Sequence, residues 1–276
     1  MELAAEIERN VRTALAEDVG SGDLTAPLVP GGQRVRAAVL CRQKAVLCGQ
    51  PWFEASLRHL DAFAKVAWAF PEGADVPPGA RVCSVDAEAR ALLAAERVAL
   101  NFLQTLSGVA TATRRYVEAI AGTRARIVDT RKTLPGLRLA QKYAVRIGGG
   151  SNHRIGLYDA MLLKENHIAA AGGIRQAIAQ ARKLKDKGDW IQVEVESLDQ
   201  LREALAAGAT MILLDNMSPE QMREAVKVAA GRAELEASGG ITLENARAIA
   251  ETGVDRMSVG SLTKDVKAAD FSMRFE

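Results

Sequence analysis

The sequence has little of what defines several large protein classes. Its 276 residues include three cysteines, Cys41, Cys48 and Cys83, whose odd number and spacing argue against a disulfide scaffold or a cysteine metal site. No apolar run approaches the roughly 20 residues that cross a bilayer. The first helical pattern is acidic and amphipathic, unlike a signal peptide. These features predict a cytoplasmic protein with reduced, structural thiols.

A large excess of charge of either sign is also lacking. The formal net charge is +2, which gives no support to nucleic-acid binding, because such proteins usually carry a markedly basic face. No G-x-G-x-x-G motif follows a strand pattern, which counts against a dinucleotide-binding Rossmann domain. The composition, 48% hydrophobic and 25% charged, is that of an ordinary globular protein.

The chain changes its pattern after about one hundred residues. Residues 1–105 predict an N-terminal α/β sandwich domain, joined by the C-terminal residues 265–276. Short strand patterns separated by Gly, Pro and charged clusters carry this prediction, together with a helix at about 51–60. The strands are expected at 35–41, 45–49, 63–70 and 80–85.

The second part, residues 106–264, alternates between strands and helices. A leucine-rich helical pattern first runs from Glu88 to Ala121, where Gly108 is expected to interrupt or bend it. Six strand patterns joined by helices then predict a parallel α/β barrel. The strands are expected at 126–129, 160–163, 191–195, 211–214, 233–237 and 256–259, and the helices at 138–148, 173–187, 198–207, 218–230 and 243–252.

Functional residue types follow the predicted strands, where the active sites of such barrels lie. In chain order these residues are Thr130-Arg131-Lys132, Lys164, Glu194, Asp215, Ser238-Gly239-Gly240 and Val259-Gly260-Ser261. Asn152-His153-Arg154 precedes the second of these strands. Cations therefore come first, carboxylates second and glycine turns last.

Positive charge is concentrated in the segment Asp129–His167. Residues 131 to 164 include seven Lys or Arg and one acid, Asp159. Any one of these cations could be a solvated surface charge. Taken together, Arg131, Arg154 and Lys164 with His153 predict a site for paired carboxylates or phosphates, because a desolvated dianion needs several fixed cations.

The carboxylates and glycine turns suit a second anionic ligand. Glu194 and Asp215 are hard oxygen ligands for Mg²⁺, which usually combines one or two carboxylates with substrate phosphates. Glu196 shares a strand face with Glu194 by alternation, so the sequence leaves both open as the metal contact. The glycine turns after the last two strands predict phosphate binding at helix N-termini, although they could be ordinary tight turns.

The long motif DTRKTLPGLRLAQKYAVRIGGGSNHRIGLYDAMLLKENH resembles the core of the quinolinate phosphoribosyltransferases, the carboxylating nicotinate-nucleotide pyrophosphorylases. GDLTA, AERVALNFLQTLSGVAT, VEVES, ILLDN, LEASGGI and VGSLTKD occur in the order expected for that family. The resemblance implies an α/β sandwich with an open α/β barrel, the type II phosphoribosyltransferase fold. It also implies a homodimer that transfers phosphoribosyl to quinolinate, with decarboxylation, in NAD biosynthesis.

The resemblance also implies a role for each site residue. Glu194 and Asp215 would hold Mg²⁺ and the ribose hydroxyls of phosphoribosyl pyrophosphate. Arg97 would complete the site of the neighbouring subunit. The quinolinate carboxylates would be bound by Arg131, His153, Arg154 and Lys164, with Thr130 and Lys132 beside them, and the 5-phosphate by Ser238, Gly239, Gly240, Val259, Gly260 and Ser261.

The sequence departs from the family pattern in one place. Thr263-Lys264-Asp265 stands where the family usually has Thr-His-Ser, which puts the contacts after the second phosphate turn in doubt. Two alternatives remain open. One is a molybdenum-transport-associated relative of the same fold with a different acceptor, and the other is a barrel aldolase that forms a Schiff base on Lys164.

Overall fold

The computed structural model describes residues 3–184 and 190–276. Its helices are α1 Leu3–Val19, α2 Gln50–Leu60, α3 Ala89–Ala119, α4 Arg138–Ile147, α5 Glu165–Ala171, α6 Ile174–Leu184, α7 Leu198–Ala206, α8 Pro219–Ala229, α9 Leu243–Ala250 and α10 Ser261–Lys264. Its strands are β1 Arg34–Cys41, β2 Ala45–Val46, β3 Lys65–Trp68, β4 Asp75–Val76, β5 Arg81–Glu88, β6 Arg126–Val128, β7 Met161–Leu163, β8 Ile191–Val195, β9 Met211–Asp215, β10 Glu234–Ser238, β11 Arg256–Ser258 and β12 Phe271–Phe275.

The first compact unit contains the antiparallel sheets. It comprises Met1–Arg114, Thr133–Gly149 and Leu262–Glu276. The larger sheet has the strand order β12-β1-β5-β3, and β2 pairs with β4 in a separate ladder. Its core includes Phe53 and Leu103, both fully buried. One face of this sheet packs on that core, as is common for antiparallel sheets.

Gly108 does not interrupt helix α3, so this part of the prediction is wrong. The helix continues without a break from Ala89 to Ala119. A Cβ at Gly108 would lie 2.3 Å from the carbonyl oxygen of Lys267, so the glycine admits a close backbone approach. A glycine inside a helical pattern usually weakens the helix, which is why an interruption was predicted. The local sequence gives no sign of the contact, because Lys267 lies some 160 residues away in the chain.

The second compact unit contains one parallel sheet. It comprises Arg115–Lys132 and Gly150–Ser261. The sheet has six strands in the order β6-β11-β10-β9-β8-β7, so β6 and β7 form its two edges and the barrel is open. Strand residues such as Val193, Ile212 and Met257 are fully buried, as expected for parallel strands covered on both faces. The predicted fold class is thereby confirmed.

The predicted helices and strands differ from the observed ones mainly at their ends. The helix predicted at 173–187 is observed as α6 to Leu184, and its last predicted residues lie outside the described part of the chain. Helix α5 and strands β4 and β12 were not predicted. Helix α4, placed with the barrel by the sequence, belongs to the first unit by its contacts. The domain boundary at residue 105/106 stays a prediction.

The cysteines are buried free thiols, as predicted. Burial raises the pKa of Cys83 to about 12, and Glu54 acts in the same direction, so this thiol stays protonated and unreactive at neutral pH. Over the described ranges, no helix combines the length and apolar character needed to cross a bilayer.

Candidate active site

The ends of the parallel strands surround a cavity of about 520 Å³ in the second unit. Most residues predicted for the site line this cavity. They are Thr130, Arg131, Lys132, His153, Arg154, Lys164, Glu194, Asp215, Ser238, Gly239 and Gly240. The cavity lining also includes residues that sequence reasoning did not select, namely Leu162, Leu213, Asn216, Glu236 and Ser258.

The segment that carries His153 and Arg154 runs beside β6. Ser151 forms a parallel bridge with Val128, and its N–H donates to Ile127 at 2.8 Å. The fully buried Asp129 accepts hydrogen bonds from the backbone N–H of His153, at 2.9 Å, and from the side chain of Asn152. Asp129 therefore organises this segment, a role that the sequence did not reveal.

Arg154 is a buried cation next to another cation. Its side chain is 7% exposed, and its Nη1 donates to the carbonyl oxygen of Ala160 at 3.2 Å. Burial lowers the pKa of Arg154 from its usual value, and the positive charge of Arg131 lowers it further. A guanidinium nevertheless stays protonated in a protein. Two like charges held close together in a cavity are arranged to receive a dianion.

His153 has both ring nitrogens engaged within the protein. The backbone N–H of Arg154 donates to Nδ1 at 2.8 Å, and Nε2 lies 2.9 Å from Oε1 of Gln192. The ring also contacts Trp190 edge to face, with centroids 5.0 Å apart. Its orientation is thus fixed by neighbours on three sides.

Lys164 forms an ion pair with Glu194. Its Nζ lies 3.1 Å from Glu194 Oε2, and the lysine side chain is about half exposed. An exposed pair of this kind contributes at most about 1 kcal/mol, so an incoming anion can displace it. Lys164 is also the N-cap residue of α5, where its N–H donates to Nδ1 of His167 at 3.1 Å.

The structure distinguishes Glu194 from Glu196. Strand β8 ends at Val195, so Glu196 has already left the strand when it reaches the following turn. Glu196 is exposed, and its N–H donates to Gln200 at the start of α7, whereas Glu194 lines the cavity. The expectation that both residues share a strand face is therefore wrong.

Asp215 is held by Asn216, the next residue. Asp215 ends β9 and pairs with Ser238 on β10. Asn216 adopts a left-handed backbone with φ +52°, a conformation that asparagine tolerates better than most residues. Its Nδ2 donates to Asp215 Oδ2 at 2.8 Å, and its N–H donates to Ser238 at 2.9 Å. Asn216 thus connects the carboxylate to the neighbouring glycine turn.

The turn Ser238-Gly239-Gly240 depends on glycine. Gly239 has φ +99°, and a Cβ built on it would lie 2.1 Å from Oδ1 of Asn216. The turn leads to α9, whose N-terminus is capped by Thr242 and Asn245. Backbone N–H groups at a helix N-terminus suit a phosphate.

The second glycine turn, Val259-Gly260-Ser261, differs from the first in its position relative to the cavity. Among the described residues, the cavity lining does not include Val259, Gly260 or Ser261. A Cβ on Gly260 would lie 3.0 Å from Cδ of Lys132, so this glycine leaves room for the lysine side chain to pass over it. Lys132 itself is exposed and lines the cavity.

The remaining cations of the segment Asp129–His167 belong to the first unit. Arg138, Lys142 and Arg146 lie on α4, where Lys142 is buried. Arg97 is an exposed residue of α3. Its predicted role in a neighbouring subunit stays a prediction.

The donor set is compatible with Mg²⁺ bound partly through a substrate. Glu194 and Asp215 stand at the ends of the adjacent strands β8 and β9. Over residues 3–184 and 190–276, no cluster of three or more His, Cys, Asp or Glu side chains could hold a metal ion alone. Two carboxylates with phosphate oxygens are the usual environment of Mg²⁺ in phosphate-transfer sites.

An open α/β barrel whose cavity combines one buried and one half-buried arginine with strand-end carboxylates and a glycine turn defines an enzyme that binds anionic substrates. The model of the quinolinate phosphoribosyl transferase C-terminal domain matches residues 109–274, and that of the N-terminal domain matches residues 23–107. The chain belongs to the quinolinate phosphoribosyl transferase family.

Named relatives agree with this assignment. The chain is 43% identical to the probable nicotinate-nucleotide pyrophosphorylase (carboxylating) of Bacillus subtilis (strain 168), over 93% of the chain and 89% of the relative. It is 40% identical to the Homo sapiens nicotinate-nucleotide pyrophosphorylase (carboxylating), over 90% and 85%. The solved nicotinate-nucleotide pyrophosphorylase of Francisella tularensis is similar at a TM-score of 0.95 and 45% identity, covering 99% and 97% of the two chains.

Proposed function

We propose that this protein transfers the phosphoribosyl group of phosphoribosyl pyrophosphate to quinolinate, with decarboxylation. The products are nicotinate mononucleotide, pyrophosphate and CO₂, a step of NAD biosynthesis. The observation that carries the proposal is the single cavity in which the buried Arg154 and the half-buried Arg131 lie with Glu194 and the glycine turn that follows β10. The names of the relatives, nicotinate-nucleotide pyrophosphorylase (carboxylating), support the same reaction.

The cations hold the acceptor. Arg131 and Arg154 bind the two carboxylates of quinolinate, and Lys164 adds a third charge once it leaves Glu194. Fixing both carboxylates aims the ring nitrogen at the anomeric carbon of the ribose. This orientation replaces a bimolecular encounter by a reaction within one complex.

The carboxylates and the glycine turn hold the donor. Asp215 and Glu194 face the ribose hydroxyls and stabilise the positive charge that develops on the ribose ring. Ser238, Gly239 and Gly240 receive the 5-phosphate on backbone N–H groups. Mg²⁺ bound with Glu194 and Asp215 would neutralise charge on the departing pyrophosphate.

The bond changes balance when a proton taken from solvent is included. The ring nitrogen bonds to the anomeric carbon as the bond from that carbon to pyrophosphate breaks. The bond from C2 to its carboxylate then breaks, and CO₂ leaves. The electron pair stays on C2 beside the positively charged nitrogen until C2 takes up a proton.

The test is a parallel assay of CO₂ and pyrophosphate release from quinolinate and phosphoribosyl pyrophosphate. We expect equal amounts of the two products, loss of both with a chelator and recovery with Mg²⁺. Nicotinate replaces quinolinate in the control, and we expect it to react poorly because it lacks the second carboxylate. Absence of both products from quinolinate would contradict the proposal and favour the relative with a different acceptor. Borohydride trapping of a carbonyl substrate on Lys164 would favour the aldolase.

We also propose a homodimer in which Arg97 completes the partner's site. The support is the family resemblance and the exposed position of Arg97 on α3. In a mixture of Arg97→Ala and Arg154→Met subunits, half of the dimers would be mixed and would hold one intact site each. We expect about a quarter of wild-type activity from two nearly inactive proteins. If activity does not return although mass measurement shows mixed dimers, Arg97 acts within its own subunit.

The cytoplasmic location stays a prediction.

A further inference from the structure

A row of polar side chains extends from the cavity lining into the parallel sheet. It connects His153 to Gln192 on β8, Glu236 on β10 and Arg256 on β11. Gln192 is fully buried and Glu236 is 1% exposed. Parallel strands covered on both faces normally present apolar side chains, so an amide and a carboxylate here call for a physical reason.

The direction of the hydrogen bonds follows from Arg256. Its Nε lies 3.1 Å from Oε2 of Glu236, in an ion pair whose carboxylate oxygens can only accept hydrogen bonds. The group 3.1 Å from the same Oε2 must then be the amide N–H of Gln192. The amide oxygen of Gln192 consequently faces His153 Nε2 at 2.9 Å, and Nε2 must carry the proton.

The hydrogen bond at the His153 end of this row of side chains independently places the ring proton on the same nitrogen, Nε2. The backbone N–H of Arg154 donates to Nδ1 of His153 at 2.8 Å, so Nδ1 must be unprotonated. The second carboxylate oxygen of Glu236 lies 3.5 Å from Nε2, where it also favours a proton on that nitrogen. In a histidine, the partner of one ring nitrogen decides the protonation of the other.

We propose that Gln192 and Glu236 are positioning residues for the acceptor side of the site. They fix His153 as the neutral imidazole with its proton on Nε2. Nδ1 then accepts the Arg154 N–H, and this bond fixes the backbone from which the Arg154 side chain enters the cavity. His153 accordingly positions Arg154 and adds no positive charge of its own. The consequence for quinolinate affinity rests on the proposed function, whereas the tautomer does not.

The tautomer is measured directly in the protein without substrate. The protein has three histidines, so ¹⁵N-histidine labelling gives a simple long-range ¹H–¹⁵N spectrum. The His153 signals are assigned by their loss in a His153→Gln protein. We expect the pattern of a neutral ring protonated on Nε2. A ring protonated on Nδ1, or on both nitrogens, would overturn the proposal.

Three variants separate positioning from folding. Gln192→Met and Glu236→Met remove the hydrogen bonds at similar volume, whereas Glu236→Gln keeps an acceptor for Gln192. We expect both methionine variants to raise the KM for quinolinate about tenfold, with the KM for phosphoribosyl pyrophosphate unchanged. Glu236→Gln should keep the KM for quinolinate close to the wild-type value, and its His153 ring should keep the wild-type tautomer.

Gln200→Met is the control, because this amide binds the Glu196 backbone outside the cavity. It should behave as wild type. Equal rises of both KM values in the Gln192 and Glu236 variants, with no rescue by Glu236→Gln, would indicate a merely structural role and contradict the proposal. If the wild-type protein does not react with quinolinate, the proposed function fails, and the spectrum still decides the tautomer.

Discussion

Replacing Arg154 by methionine is expected to lower kcat/KM for quinolinate by about 10³-fold, equivalent to about 4 kcal/mol. The side chain is buried and adjoins Arg131, so its loss removes a desolvated cation that water cannot replace. Steady-state kinetics with each substrate varied in turn provide the measurement. The KM for phosphoribosyl pyrophosphate should stay within about threefold of wild type, because the donor contacts lie on other strands.

Arg182→Met is the matched control for this experiment. Arg182 also donates to a backbone carbonyl, that of Gly208, but it lies exposed on α6. Its replacement should leave both KM values unchanged. Arg154→Lys should recover only part of the activity, because an ammonium lacks the planar fork that binds a carboxylate through two hydrogen bonds. An Arg154→Met protein with normal quinolinate kinetics would show that the acceptor binds elsewhere.

Gly239→Ala is expected to lower kcat/KM for phosphoribosyl pyrophosphate by about 100-fold. The new Cβ would lie 2.1 Å from Oδ1 of Asn216, which must therefore move. Asn216 donates to Asp215, so the carboxylate and the glycine turn would shift together. Kinetics and calorimetric binding of phosphoribosyl pyrophosphate would measure the loss, and quinolinate binding should persist.

Gly253→Ala separates the steric effect from backbone strain. Gly253 has φ +94°, close to the +99° of Gly239, but its Cβ would meet a side-chain methyl of Val226 at 3.3 Å. Both substitutions should lower the free energy of unfolding by about 1–2 kcal/mol through the left-handed backbone. Only Gly239→Ala should impair the donor reaction. Equal kinetic losses in the two proteins would mean that strain, and not displacement of Asn216, is responsible.

The sequence predicted the parts of the site that depend on strand ends. Apolar runs locate the strands, and the carboxyl ends of parallel strands meet at one edge of a barrel, so Glu194 and Asp215 could be selected without coordinates. The family resemblance added Arg97, which would otherwise have been read as a surface charge. Its role, like that of the metal, stays a prediction.

Other features could not be predicted because they depend on register between distant segments. Gln192 and Glu236 meet only through the order of β8, β9 and β10. A signal was nevertheless present, since both are polar residues inside strands of a parallel sheet, which is normally covered on both faces. The contact of Gly108 with the Lys267 carbonyl oxygen has no local signal, and Glu196 was misjudged because strand alternation was extended one residue beyond the end of β8.

The alternation of the chain between its two compact units has a consequence for biosynthesis. The polypeptide passes from one unit to the other after Arg114, Lys132, Gly149 and Ser261, and β12 pairs with β1, which is made long before it. Domains usually fold in the order in which they leave the ribosome. Here the first unit lacks an edge strand until Phe271–Phe275 has been made, so a nascent chain stalled before Phe271 would expose the unpaired edge of β1 to aggregation.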